Sequence, residues 1–325
     1  MKRQQFVRAA LGLAALAACG TGHGAAALHW QRRTWLGFGT TLSLQAAHHD
    51  EAVLERALDA AVALLRRIEA QMSLFDPASA LSQLNRERVL RAPPAQLLRV
   101  LRIAQAVSRA SGGAFDVTVQ PLWQAFDAAR REHRLPDASE VAAARALVDW
   151  HALHVAPHAL RLLRPGMAVT LNGIAQGYAA DRARALLARH GIGHALVDAG
   201  EFAPLGHNPQ RQPWTLGIAD PHAEAALLAR LVTDGRCVAT SADSETTFSA
   251  DRRHHHIVDP RTGRSPPELS AVTVAARSGA LADALTKVMF VAGPSRIPAL
   301  ARRWGVDVLW VDKRGRCQAT PGLRR

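Results

Sequence analysis

Apolar residues at Val53, Leu54, Ala57, Leu58, Ala61, Leu64, Leu65 and Ile68 recur every three or four positions. That period predicts an amphipathic helix over Asp50–Gln71, with Asp50 as its N-cap. Pro94–Ala110 repeats the pattern, with prolines at its start and Gly112-Gly113 just past its end. Asp137-Ala138-Ser139-Glu140 has the form of a capping box ahead of an alanine-rich run. Further helices are read over Ala175–Arg189, ending at Gly191, and over Ala282–Val291. Short β-rich runs predict strands at Trp35–Leu44, His194–Asp198, Trp214–Ala219, Leu228–Thr233, Ala271–Ala276 and Asp307–Val311. Helices and strands mix without strict alternation, which predicts an α+β fold of mixed, largely antiparallel sheet layers packed with helices. No stretch reads as a linker, so residues 28–325 are taken as one domain.

The first 27 residues stand apart as an export signal. Lys2, Arg3 and Arg8 surround a short polar start, and Ala9–Ala18 is an apolar run far short of the ~20 residues that a spanning helix needs. Leu16-Ala17-Ala18-Cys19 has the small-residue pattern that precedes a lipid-modified cysteine, which would tether the protein to a membrane through Cys19. Ala25-Ala26-Ala27 offers a second cleavage point that would leave a free exported protein. The segment from Arg3 to Arg8 also resembles a twin-arginine signal with glutamine in place of its second arginine. A periplasmic protein, either anchored or free, is expected.

The 325 residues are 48% hydrophobic and 21% charged, enough to bury a full core. The net charge of +13 does not indicate a nucleic-acid partner, because the arginines are spread through every segment and only 5% of residues are aromatic. Lysine occurs only at positions 2, 287 and 313. Beyond Cys19 only Cys237 and Cys317 remain, which excludes a zinc ribbon, a C-x-x-C redox pair and a disulfide framework.

Candidate chemistry lies in four strings. In Leu171–Tyr178, Asn172 and Gly173 precede a helix whose amino end suits an anion such as a diphosphate, and Gly177 permits close approach of another backbone. The same string suits a packed helix start capped by asparagine. In Ser111–Thr118 a glycine pair presents Phe115 for ring stacking and Asp116 for ring or ribose donors, or else Phe115 enters the core. In His256–Gly263, Pro260 and Gly263 fix a turn, so His256 sits on a rigid edge where it can take a proton from a hydroxyl. Asp259 can orient the turn or the ring. Neighbouring residues on an extended segment face opposite sides, so of the run His254-His255-His256 only His256 is taken as functional. Asp283 opens a helix with Thr286 and Lys287 on its own face, a placement that suits a hard cation such as Mg²⁺ or simply the helix dipole.

Taken in order, these strings resemble the ApbE-type flavin transferases (FAD:protein FMN transferases). The likeness includes Gly37-Phe38-Gly39-Thr40, Met72-Ser73-Leu74-Phe75 running to Asn85, Ser111–Pro121, Thr170–Asp181, Val238-Ala239-Thr240-Ser241, His256–Gly263 and Ala282-Asp283. The resemblance implies a T-fold-like domain that binds FAD and Mg²⁺ and breaks the diphosphate. FMN would then be attached through a phosphoester to a threonine of an electron-transfer protein, with release of AMP. Some members instead hydrolyse FAD to FMN and AMP. It further implies FAD contacts at Phe38, Phe75, Ala114, Phe115, Asp116, Asn172, Tyr178 and Ile257, and a cation held by the Ala175 carbonyl, Asp283 and the Thr286–Lys287 position. His256 would be the base that activates the acceptor hydroxyl.

This chain departs from the family pattern at Thr170, where aspartate is usual, at Gln176, where lysine is usual, and at Gly200-Glu201-Phe202, where a Gly-Gly-acid run is usual. Lys287 stands where a hydroxyl ligand is expected. Either Lys287 swings aside and Thr286 serves as ligand, or its ammonium replaces the metal as a point charge. Weakened metal affinity is expected in both cases. The competing class is a non-catalytic flavin-binding or maturation factor, or an FAD pyrophosphatase with a degenerate metal site.

Overall fold

The computed structural model describes residues 7–9, 27–223 and 225–324. The export-signal reading of residues 1–27 therefore lies outside the described residues, apart from Ala27 and a short strand at Val7–Ala9.

At the centre is an eight-stranded sheet whose strands lie side by side in chain order. They are β1 (His29–Gly37), β2 (Thr40–His48), β3 (His194–Asp198), β4 (Phe202–Leu205), β5 (Cys237–Ala242), β6 (Leu269–Ala276), β7 (Asp307–Asp312) and β8 (Cys317–Ala319). Every pairing is antiparallel. The expected strand Trp35–Leu44 is in fact the end of one strand and the start of the next. Gly37 pairs with Thr40 across a two-residue turn in which Phe38 and Gly39 both have positive φ, 50° and 73°. That is the turn whose twist matches paired strands, here built with phenylalanine in place of the usual asparagine or aspartate.

Between β2 and β3 the chain makes α1 (Glu51–Met72), α2 (Ala95–Ser111), α3 (Gln120–Arg131) and α4 (Ala175–Arg189), and α5 (Gly279–Ala292) joins β6 to β7. Asp50 caps α1 by accepting from Val53 N at 3.0 Å, and Gly112 ends α2 in the left-handed conformation. The Asp137 capping box is present in both directions. The helices cover one face of the sheet. There Leu54, Leu58, Leu65, Tyr178, Leu187 and Phe290 form one core with Val272 and Val274. The hairpin Thr215–Ala219 and Leu227–Val232 covers the opposite face, packing Trp214, Leu216 and Leu231 on Phe202, Ala271 and Leu309. Strand β6 is therefore buried at every position, since its alternate side chains feed both cores.

Helices α4 and α5 cross in close contact. A Cβ on Gly177 would lie 2.1 Å from the Gly279 carbonyl oxygen, so only glycine permits the crossing, as its place in the sequence suggests. From α4, Asp181 caps α5, accepting from Gly279 N at 2.7 Å, Ala280 N at 3.1 Å and Ser278 Oγ at 2.7 Å. This tertiary cap starts α5 at Gly279, three residues before the start read from the sequence. Cys237 and Cys317 are both free, and burial pushes the Cys237 thiol well above its ordinary pKa. Among the described residues, no helix is long and apolar enough to cross a membrane.

Candidate functional site

A cavity of about 560 Å³ opens where the ends of β3, β4 and β5 meet the amino end of α4. That volume suits a ligand of cofactor size. Its walls come from segments far apart in the chain and tied to one another. Asn85 clamps the Val169 backbone with bonds of 2.7 and 2.9 Å, and Thr170 N donates to Val117 O at 2.8 Å. The turn at Asn172-Gly173 is thereby fixed against the segment carrying Ala114, Phe115 and Asp116.

Of the residues expected to contact FAD or act in catalysis, Phe75, Ala114, Phe115, Asp116, Asn172, His256 and Ile257 line this one cavity, and so do Thr170, Gln176, Glu201 and Lys287, where the chain departs from the family pattern. Phe75 is 75% exposed at the site, while Phe115 is buried. Asp116 is buried and already engaged, accepting from Thr118 N and Oγ1 at 2.7 Å each and from Trp150 N at 3.0 Å. Burial raises its pKa, and those hydrogen bonds oppose the rise.

Other expected residues lie elsewhere. Phe38 does not line the cavity; it sits in the β1–β2 turn, packed against the helical core, and its neighbour Thr40 reaches the site instead. Tyr178 is a buried strut whose hydroxyl donates to Gln96 Oε1. Asp259 does not meet the imidazole. Its carboxylate pairs with the Arg261 guanidinium at 2.9 Å and accepts Arg261 N at 3.0 Å, so it holds the turn. Ala175, Asp283 and Thr286 are all buried behind the cavity wall. The amino end of α4 is also less open than its sequence suggests, because Gly177 N donates to Asp283 Oδ2 at 3.2 Å and Ala175 N to Leu171 O at 2.8 Å.

His256 is held by its flanks. His255 points into the protein, its N–H bonded to Ser265 Oγ at 2.9 Å and its ring Nε2 3.2 Å from Pro266 O. Burial pushes its pKa down to about 4, so it is a neutral structural group. His256 N donates to Thr246 O at 3.0 Å, and its Nδ1 lies 3.3 Å from the same carbonyl. A carbonyl only accepts, so the proton belongs on Nδ1 and Nε2 is the acceptor nitrogen of the ring. Glu245 Oε2 lies 3.7 Å from Nε2.

Several lining residues carried no clear signal in the sequence. Glu245 lies in an irregular loop. Asp198 likewise carried none, whereas Glu201 belongs to the Gly200-Glu201-Phe202 departure; the two flank the β3–β4 turn, and burial pushes the Asp198 carboxyl up to about 7 and Glu201 well above the ordinary carboxylate range. Trp123 comes from α3, which the sequence does announce through Pro121 at its start and Leu122, Phe126 and Ala129 at helical spacing.

Comparison with known proteins places this geometry. The profile of the ApbE family matches residues 38–310. The chain belongs to the ApbE family. Among its relatives, an FAD:protein FMN transferase of Treponema pallidum is 32% identical over 334 residues, covering 94% of this chain and 91% of that protein. One from Klebsiella pneumoniae is 31% identical over 286 residues, 85% and 87% of the two chains. The solved flavin transferase ApbE from Vibrio cholerae superposes with a TM-score of 0.77 at 25% identity, covering 90% of this chain and 97% of its own. The ApbE protein of Thermotoga maritima gives 0.80 at 25% identity, with the same coverage. The ApbE family assignment and the α+β, antiparallel architecture thus agree with the reading from sequence.

Proposed function

We propose that this chain is an FAD:protein FMN transferase, which binds FAD in the cavity and passes its FMN half to a threonine hydroxyl of an electron-transfer protein. The carrying observation is the placement of His256, its Nδ1 turned to the Thr246 carbonyl, in the same aromatic-walled cavity as the cationic Lys287. The family relationship supports the same reading. Phe75 and Phe115 offer faces for a flavin or adenine ring.

The reaction balances around one proton. The acceptor oxygen attacks the phosphorus on the FMN side, a P–O bond forms, and the P–O bond to the AMP phosphate breaks. AMP leaves and the hydroxyl proton passes to His256 Nε2. Phosphoryl transfer of this kind depends mainly on in-line positioning and charge neutralisation. The chain supplies the first through its rigid walls and the second through Lys287. Mg²⁺, which the family resemblance implies, fits these residues poorly, because the Lys287 ammonium already occupies the Asp283 carboxylate. No step here is routed through a metal.

The signal-like first 27 residues support a periplasmic location, with either a lipid tether at Cys19 or release by cleavage. The acceptor is then an exported or membrane-borne protein. The test incubates the protein with FAD and a threonine-bearing acceptor peptide, following peptide-bound flavin and AMP together. Both are expected in equal amount, and His256→Ala should lower the rate by about 10²–10⁴-fold. AMP without peptide-bound flavin would point to FAD hydrolysis. An unchanged rate in His256→Ala would refute the assignment of the base.

A further inference from the structure

Lys287 projects from α5 four residues after Asp283. Its Nζ donates to Asp283 Oδ1 and, at 3.2 Å, to the Asp283 carbonyl oxygen. The other carboxylate oxygen accepts from Gly177 N at 3.2 Å. Asp283 is 1% exposed and does not reach the cavity, whereas Lys287 lines it. The lysine stem passes beside Gly173, where a Cβ would lie 3.1 Å from Lys287 Cε. The ammonium therefore stands between the buried acid and the turn that opens onto the cavity.

A divalent ion has no comparable seat. Thr286 Oγ1 donates to Asp283 O at 2.6 Å and lies 2.8 Å from Ser241 Oγ, so the hydroxyl is buried behind the lining residue Ser241 and already engaged on both sides. Among the described residues, no three His, Cys, Asp or Glu side chains gather into a possible metal site. An ion brought to Asp283 would meet a fixed positive charge at contact distance. In this structure Lys287 lies against Asp283, the arrangement in which its ammonium stands in the place of a cation.

We propose that the Lys287 ammonium is a built-in counter-charge for the dinucleotide's paired phosphates, so that this protein binds FAD without a divalent cation. The inference rests on the flavin-transferase reading above and deepens it. An ammonium has three donors in a compact head. Two are committed to Asp283, which makes Asp283 a positioning residue, and the third is left for a phosphate oxygen. Glu201 is buried nearby; burial and the Asp283 carboxylate raise its pKa, and the Lys287 ammonium opposes that rise.

The test takes the full chain stripped with EDTA. It reads FAD affinity from flavin fluorescence and Mg²⁺ binding from calorimetry on the FAD complex. The unaltered protein is expected to hold FAD within about twofold of the same Kd in EDTA and in millimolar Mg²⁺, with no one-to-one Mg²⁺ binding. Lys287→Ser frees Asp283 and adds a hydroxyl. It is expected to lose roughly tenfold or more in FAD affinity in EDTA, and to recover with one Mg²⁺ bound per chain. Circular dichroism checks that the variant folds; if it does not, the comparison of buffers on the unaltered protein decides alone. Loss of FAD binding in EDTA by the unaltered protein, or one Mg²⁺ bound per chain, overturns the proposal and leaves the flavin reading standing. Absence of FAD binding in both buffers overturns the flavin reading, and the proposal with it.

Discussion

Replacing Gly177 with alanine tests whether the α4–α5 crossing holds the site together. The new Cβ would sit 2.1 Å from the Gly279 carbonyl oxygen and 2.8 Å from Asp283 Cβ. Ordinary contact begins near 3.4 Å, so the helices must part by about 1.3 Å. The obstacle is backbone, which cannot turn away as a side-chain tip can. Overpacking of this kind costs about 1–3 kcal/mol, and a rigid neighbour puts the cost toward the upper end. Parting the helices also stretches the bond from Gly177 N to Asp283 Oδ2, worth about 1.5–3 kcal/mol for a charged acceptor. A total loss of about 3–5 kcal/mol is expected, readable as a lower urea midpoint with an unchanged slope. FAD affinity should fall in the same variant under folding conditions, because Lys287 is carried by the displaced Asp283. A loss under about 1 kcal/mol with FAD affinity intact would refute the claim that this contact positions the site.

Two further outcomes follow from the cavity's acids. The Asp198 carboxyl is pushed up to about 7 by burial, so in the folded protein it keeps a proton that the unfolded chain loses near 4. Its contribution to stability is full below that lower value and is lost as pH rises toward 7. FAD affinity should fall as pH rises through about 7, where a negative charge enters the cavity of the folded protein, and Asp198→Asn should flatten that fall in a fluorescence titration across pH. Glu245→Gln removes the carboxylate 3.7 Å from His256 Nε2. It should lower kcat for flavinylation by about tenfold while leaving KM for FAD unchanged, since Glu245 acts through the imidazole.

Local signals in the sequence located most of the scaffold. The helix at Glu51–Met72 with its Asp50 cap, the Gly112 terminus of α2 and the Asp137 capping box all depend on contacts within a few residues, and all are present. The turn at Phe38-Gly39 was hidden because phenylalanine seldom takes positive φ, so the apolar run read as continuous strand. Strands β4 and β5 are buried on both faces and lack the alternation that marks a half-buried strand. In the site, motif order found His256 and the Phe115 and Asn172 segments. It could not find Glu245, whose role depends on a loop folding back to the imidazole. Nor could it separate Asp259 that orients a ring from Asp259 that braces a turn, since both begin with the same Asp-Pro pair.

The segment bearing His256 is bolted down on either side. Asp243 at its start receives the Lys313 ammonium, and His255 and Ser265 lock its far arm to the protein body. On the proposed function, His256 is accordingly in position before any substrate arrives. The burden of shape change would then fall on the proposed acceptor: its threonine would have to be presented on a strand or loop pliant enough to reach into an unyielding cleft. Acceptors should therefore share local suppleness around that residue more than any common tertiary form.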